Sequence, residues 1–128
     1  MMPLENHYFR ILSADCSATD AAAATMEATY RVELLADCDV YRGHFPHEPV
    51  SPGVCNIGMI QECAGHMAGR RLRIATIKQC RLTAVASPQD CPQLDVTLSA
   101  VSGDAGWDVT ATLSDGEKTY MTFKGTFV

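Results

Sequence analysis

The chain is short of basic residues. Ten Lys and Arg stand against fifteen Asp and Glu in 128 residues, a formal net charge of −5. Nucleic-acid binding needs a positive surface to meet phosphate, so that class of partner is excluded as a main role. No C-x-x-C pair occurs among the six cysteines, Cys16, Cys38, Cys55, Cys63, Cys80 and Cys91, which argues against a structural zinc site. The opening Met1-Met2-Pro3-Leu4-Glu5 has neither a basic n-region nor an apolar core. No apolar run approaches the length of a membrane span. These absences predict a cytoplasmic protein with reduced thiols and no metal or other cofactor. Internal repeats and linkers are also missing, so residues 1–128 read as one domain.

What is present is enough for one core. Apolar residues make up 47% of the chain and charged residues 20%, a balance that fits a packed domain rather than a disordered one. Strand-like alternation runs over residues 7–13 and again over 25–36, where Met26, Ala28, Tyr30, Val32 and Leu34 alternate with polar neighbours. Ala21 to Ala24 is too short for a helix of its own and reads as a connection. Residues 37–51 hold Gly43, Pro46 and Pro49 and read as loop.

Pro52-Gly53 then opens a helix over residues 53–68, with Gly69 as its stop signal. Val54, Ile57, Ile60, Ala64 and Met67 cover one face, while Cys55, Met59, Cys63 and Ala68 cover much of the rest. Only Asn56, Gln61, Glu62 and His66 are distinctly polar, the pattern of a helix surrounded by other structure. Four more strands follow, at 72–86, 94–101, 107–113 and 118–128, with hairpin signals at Gly103-Asp104-Ala105-Gly106 and Asp115-Gly116. Two strands, one buried helix and an antiparallel meander predict an α+β hot dog fold, one antiparallel sheet wrapped around a central helix.

The loop before the helix carries the chemistry. It reads Gly43-His44-Phe45-Pro46-His47-Glu48-Pro49-Val50-Ser51-Pro52-Gly53-Val54. Three prolines stiffen the approach to the helix and limit where His44 points. Histidine exchanges a proton near neutral pH. The helix N-terminus at Gly53 offers unpaired N–H groups and the positive end of the dipole, and glycine lets a carbonyl approach the backbone. A base and an oxyanion donor together suit removal of the proton α to a thioester.

This segment resembles the signature of the 3-hydroxyacyl-ACP dehydratases of bacterial fatty acid synthesis, the FabA/FabZ type. The resemblance covers Gly43, His44, Phe45, Pro46, Pro49, Val50, Pro52, Gly53 and Val54 in register. It implies that His44 is the base, that the Gly53 N–H polarises the thioester carbonyl, and that the Val50 carbonyl orients the histidine. It places Phe45, Val54 and residue 58 beside the substrate. It further implies a homodimer in which the histidine and the acid of one site come from different chains. The substrate would be an acyl carrier protein or CoA thioester. Arg70, Arg71, Arg73, Lys78 and Arg81 could form a local docking patch, or simply a solvated strand face.

The resemblance fails at one position. Dehydration needs an acid to protonate the departing hydroxyl, and the family places Glu or Asp fourteen residues after the histidine. Here that residue is Gly58. Glu62 is the nearest carboxylate on the same helix face, about one turn or roughly 6 Å deeper. It is the candidate acid, with pairing to His66 at i+4 as the alternative, and a partner is expected either way because an isolated buried carboxylate is costly. Glu48 is a weaker candidate acid, and His47, Tyr41 and Asn56 could flank the site. Cys55 and Cys63 read as structural thiols. Three functions therefore stand: a dehydratase, a hot-dog thioesterase, or a non-catalytic acyl-binding or partner subunit.

Overall fold

The helix, α1, spans Gly53–Ala68, the bounds its flanking signals predict. Gly69 ends it at φ 73°, a left-handed conformation that glycine adopts without a Cβ penalty. The Arg70 N–H donates to Gly65 O at 3.1 Å and closes the last turn. The computed structural model describes residues 4–20, 25–35, 38, 53–84, 92–103 and 106–128. Most of the loop expected to carry the base, with His44, Phe45, His47, Glu48 and Val50, lies outside the described residues, as do Tyr41, Cys91 and the connection at 21–24.

Six strands accompany α1: β1 (Phe9–Asp20), β2 (Thr25–Leu34), β3 (Ile74–Leu82), β4 (Gln93–Gly103), β5 (Gly106–Ser114) and β6 (Thr119–Phe127). They form one sheet in the order β1-β2-β4-β5-β6-β3, with each neighbouring pair antiparallel. This is the hot dog arrangement. The alternation read from the sequence sorts the two faces. Tyr30, Val96, Leu113 and Met121 pair in one row across β2, β4, β5 and β6, and all four are buried. The next row, on the outer face, is Thr29, Thr97, Thr112 and Thr122, flanked by Asp15 on β1 and Arg81 on β3. β-branched cross-strand pairs of this kind suit a half-solvated sheet face. Met59, Ile60, Cys63 and Ala64 of α1 pack fully buried in the same core as the inner rows.

Two strands differ from their expected extents by more than two residues at one end. β1 runs to Asp20 rather than Ser13. Its register against β2 shifts between Ile11 and Ser13 and again between Asp15 and Ala18. Each shift breaks the two-residue period, so the alternation fades although the strand continues. β3 is shorter than residues 72–86. Leu72 precedes it, buried, and its carbonyl accepts the Gln61 Nε2–H at 2.9 Å. Arg73 and Val128 exchange two backbone hydrogen bonds of 2.8 Å that tie the end of the chain beside this entry.

β3 is the unusual strand. Every residue from Ala75 to Leu82 is exposed, on both faces, and only its β6 side is hydrogen-bonded among the described residues. Ile77 and Leu82 are 48% and 63% exposed. Ile77 and Leu82 stand opposite buried Gly125 and Met121 of β6, so a nine-residue edge with apolar side chains exposed on its inner face is a template for another chain.

Candidate active site

The start of α1 lies against the open end of β3. A β-carbon added at Gly53 would meet Leu82 Cδ1 at 3.4 Å, ordinary contact distance. Val54, the next residue, is 76% exposed. The first turn of α1 carries no acidic side chain, and its N–H groups form the positive end of the helix dipole. Gly53, Val54 and Leu82 thus form a small apolar rim around a helix N-terminus at the edge of the sheet.

Asn56, in the same turn, points inward. It is 2% exposed, and its Oδ1 accepts the Tyr8 hydroxyl at 2.6 Å. The expectation that Asn56 could bond substrate is therefore corrected. It pins the beginning of α1 to the residue preceding β1.

The polar stripe of α1 has a partner from the far end of the chain. Glu62 Oε2 accepts the Leu4 N–H at 2.7 Å and Oε1 accepts the Glu5 N–H at 3.0 Å. His66 Nε2 and Glu5 Oε1 are 2.6 Å apart. The expected Glu62–His66 pair does not form. A carboxylate with two backbone donors is already satisfied, and the second carboxylate of the turn suits the imidazole better. Above Glu62, Leu4 fills the space beside Gly58: a β-carbon there would stand 2.6 Å from Leu4 Cδ1. The gap expected at Gly58 is occupied by the chain's own N-terminal turn.

The thiols near the site are unreactive by environment. Burial pushes Cys63 up to about 12, helped by the charges of Glu5 and Glu62. Burial also raises Cys55, with Cys38 adding to the effect. Both fit the expected structural role. Among the described residues no group of three or more His, Cys, Asp or Glu side chains gathers that could hold a metal ion. Among them, too, no helix is long and apolar enough to cross a membrane.

Sequence reasoning brought Gly53, Val54, Gly58 and Glu62 to one helix, which the structure shows. It missed Leu4, Glu5 and Tyr8. The usable signal was the stripe Gly58, Glu62, His66 at i, i+4 and i+8, whose two polar members needed partners on a mostly apolar helix.

The chain is similar to proteins of known class. A family model described as ApeI dehydratase, ApeI-like, matches residues 19–122. Among curated proteins, the 3-hydroxyacyl-[acyl-carrier-protein] dehydratase FabZ of Ligilactobacillus salivarius is 26% identical over 87 residues, 62% of each chain. The FabZ of Clostridium tetani is 35% identical over 74 residues, 52% of this chain and 51% of that protein. The chain thus spans between half and two thirds of the length of these curated relatives. Among solved structures, the dehydratase heterocomplex ApeI:P from Xenorhabdus doucetiae superposes with TM-score 0.65 at 19% identity, covering 99% of this chain and 98% of that one. An uncharacterised protein of Erwinia carotovora subsp. atroseptica gives TM-score 0.71 at 18% identity, over 92% and 94%. The structural likenesses support the hot dog fold, and the family match, which covers most of the sequence from β1 to β6, decides membership: the chain belongs to the ApeI-like dehydratase family.

Proposed function

We propose that this protein removes water from a 3-hydroxyacyl group held as a thioester on acyl carrier protein, in the cytoplasm. His44 takes the α-proton. The Gly53 N–H holds the thioester oxygen as enolate charge develops. The Val50 carbonyl orients the imidazole, and Phe45 and Val54 line the approach. The observation that carries this reading is the helix N-terminus at Gly53, which lies beside Leu82 on the β3 edge, unpaired among the described residues. A second hot-dog chain paired along β3 would cover this rim and exclude water from it. Exposed Arg70, Arg71, Arg73 and Arg81 lie on and just before this edge, in a chain of net charge −5, and suit an acidic carrier.

The source of the acid divides two readings. Each Glu62 oxygen accepts an N–H of the Leu4–Glu5 turn, so that turn lies on the carboxylate and must leave before Glu62 can serve. In a homodimer each site would meet a Gly58 face covered by Leu4, and a water would have to deliver the proton. The packing of Leu4 on Gly58 favours a second arrangement, in which a non-identical hot-dog chain brings the carboxylic acid. The Xenorhabdus neighbour is itself a heterocomplex. Thioester hydrolysis is less well supported, since it needs a free carboxylate to activate water and the first turn of α1 has none.

The test is to add 3-hydroxyacyl-ACP to the purified protein, alone and with candidate hot-dog partners, and to follow the enoyl band in the ultraviolet. Enoyl formation that His44→Ala abolishes is expected. Folded protein that yields no enoyl product under any of these conditions, or that releases free carrier thiol instead, overturns the proposal.

A further inference from the structure

We infer that the N-terminal turn is a plug on the helix face where this family carries its acid, with Leu4 and any side chain at position 58 as alternative occupants of one space. This rests on the dehydratase reading above. Three contacts match in order along two turns of α1. Leu4 Cδ1 covers Gly58, the Leu4 and Glu5 N–H groups seat on Glu62, and the Glu5 carboxylate meets His66.

The turn is also held from its own side. Leu4 O accepts the N–H groups of His7 at 3.0 Å and Tyr8 at 2.7 Å, and Asn6 N–H donates to Phe9 O at 2.6 Å. Asn6 adopts φ 68°, a left-handed conformation that asparagine tolerates better than most residues. Leu4 is therefore presented to Gly58 by a formed loop.

The consequence is chemical. In dehydration the α C–H electron pair becomes the C2=C3 bond as the C3–O bond breaks. His44 holds the abstracted proton, and the hydroxyl leaves as water with a proton from the acid. With the turn docked, α1 of this chain offers no free proton donor to a site formed across an interface. The chain supplies the base and the oxyanion donor, and the plug is why it supplies nothing else.

Four full-length proteins test this: wild type, Leu4→Ala, Gly58→Glu, and the double variant. One readout is deuterium exchange at the α-carbon of a saturated acyl-pantetheine thioester in D2O, which needs the base and oxyanion donor but no acid. The second is enoyl formation from 3-hydroxyacyl-ACP. Exchange is expected in all four. Enoyl formation should rise about 100-fold from Gly58→Glu to the double variant, the scale of general acid catalysis. The plug is overturned if Gly58→Glu alone or the wild type matches the double variant, or if a folded, exchanging double variant gains nothing. Absence of exchange in the wild type, both alone and with the candidate hot-dog partners, defeats the dehydratase reading instead. Thermal melting then decides the plug: Gly58→Glu must lower the midpoint and Leu4→Ala must recover part of that loss, and independent effects overturn it.

Discussion

The Tyr8 hydroxyl donates to Asn56 Oδ1 at 2.6 Å inside the core, and both side chains are nearly inaccessible to solvent. Asn56 sits one turn into α1, three residues from Gly53, so this bond helps set where the helix begins relative to β1. The N-terminus proposed to bind a thioester oxygen has to be held in place for that role, and a buried polar pair does so with more directionality than apolar contact.

Tyr8→Phe should therefore leave a buried carbonyl oxygen short of a donor and cost about 1–3 kcal/mol. Adding Asn56→Leu should recover much of that loss, because two apolar groups of similar shape leave nothing unsatisfied. Urea denaturation of the single and double variants measures both. A Tyr8→Phe midpoint equal to that of the wild type would show that the bond contributes nothing net.

Glu62 holds the N-terminal turn through two charge-assisted hydrogen bonds from backbone donors. Glu62→Ala should cost about 1–2 kcal/mol, toward the low end because the site is only half-buried and water can replace the carboxylate. Amide exchange is the sharper measurement. The Leu4 and Glu5 amides should lose protection at least about tenfold, while those in the centres of β4 and β5 keep theirs. Uniform acceleration across the sheet would mean that Glu62 supports the whole fold rather than the turn.

Much of this architecture was legible in the sequence where the signals were local. Pro52-Gly53 and Gly69 bracket α1 because a helix start and stop depend on a few adjacent residues. The paired rows of β2, β4 and β5 follow from unbroken alternation. The partners of Glu62 were not legible, because Leu4 and Glu5 lie 58 and 57 residues away and enter through backbone N–H groups that any residue has. The i+4 spacing pointed to His66, a local answer to a long-range question. The exposure of β3 was hidden for a related reason. Alternation predicts one buried face, and β3 has two open ones, so nothing among the described residues covers it.

The thiols should separate sharply by reactivity. Cys16 and Cys80 are exposed, whereas Cys63 is fully buried and its thiol is pushed up to about 12 by burial and by nearby Glu5 and Glu62. A maleimide at about pH 8 should label Cys16 in the native protein, Cys80 only where no second chain covers β3, and Cys63 only on unfolding, because the thiolate is the nucleophile. The same shift has a stability consequence. A raised folded value leaves the native state fully favoured below the ordinary thiol value of 9.0 and erodes it as pH climbs toward about 12. Cys63→Ala should therefore flatten the alkaline limb of the melting curve. Mass spectrometry after labelling, and melts at rising pH, read the two effects separately.

Asp115 gives the opposite sign at the acid end. Its Oδ1 accepts the N–H groups of Glu117 at 3.0 Å and Lys118 at 2.8 Å, and its Oδ2 accepts the Tyr120 hydroxyl at 2.8 Å. The Glu117 N–H bond, then Tyr120, then Lys118 hold its carboxyl below the ordinary value of 3.8. A depressed folded value contributes stability that is complete above 3.8 and is lost as pH falls through the lowered folded value. This hairpin matters to the site because the carbonyl of Tyr120 accepts the Thr83 N–H at 2.9 Å, immediately after Leu82, the residue that flanks Gly53. Asp115→Asn keeps the shape and one acceptor but cannot titrate. Its melting midpoint should lie below that of the wild type at about pH 6, and the gap should narrow as pH falls below 3.8 and the wild-type carboxylate takes up its proton. A gap that stays constant across that range would mean that the turn is held by geometry alone and that charge on Asp115 plays no part.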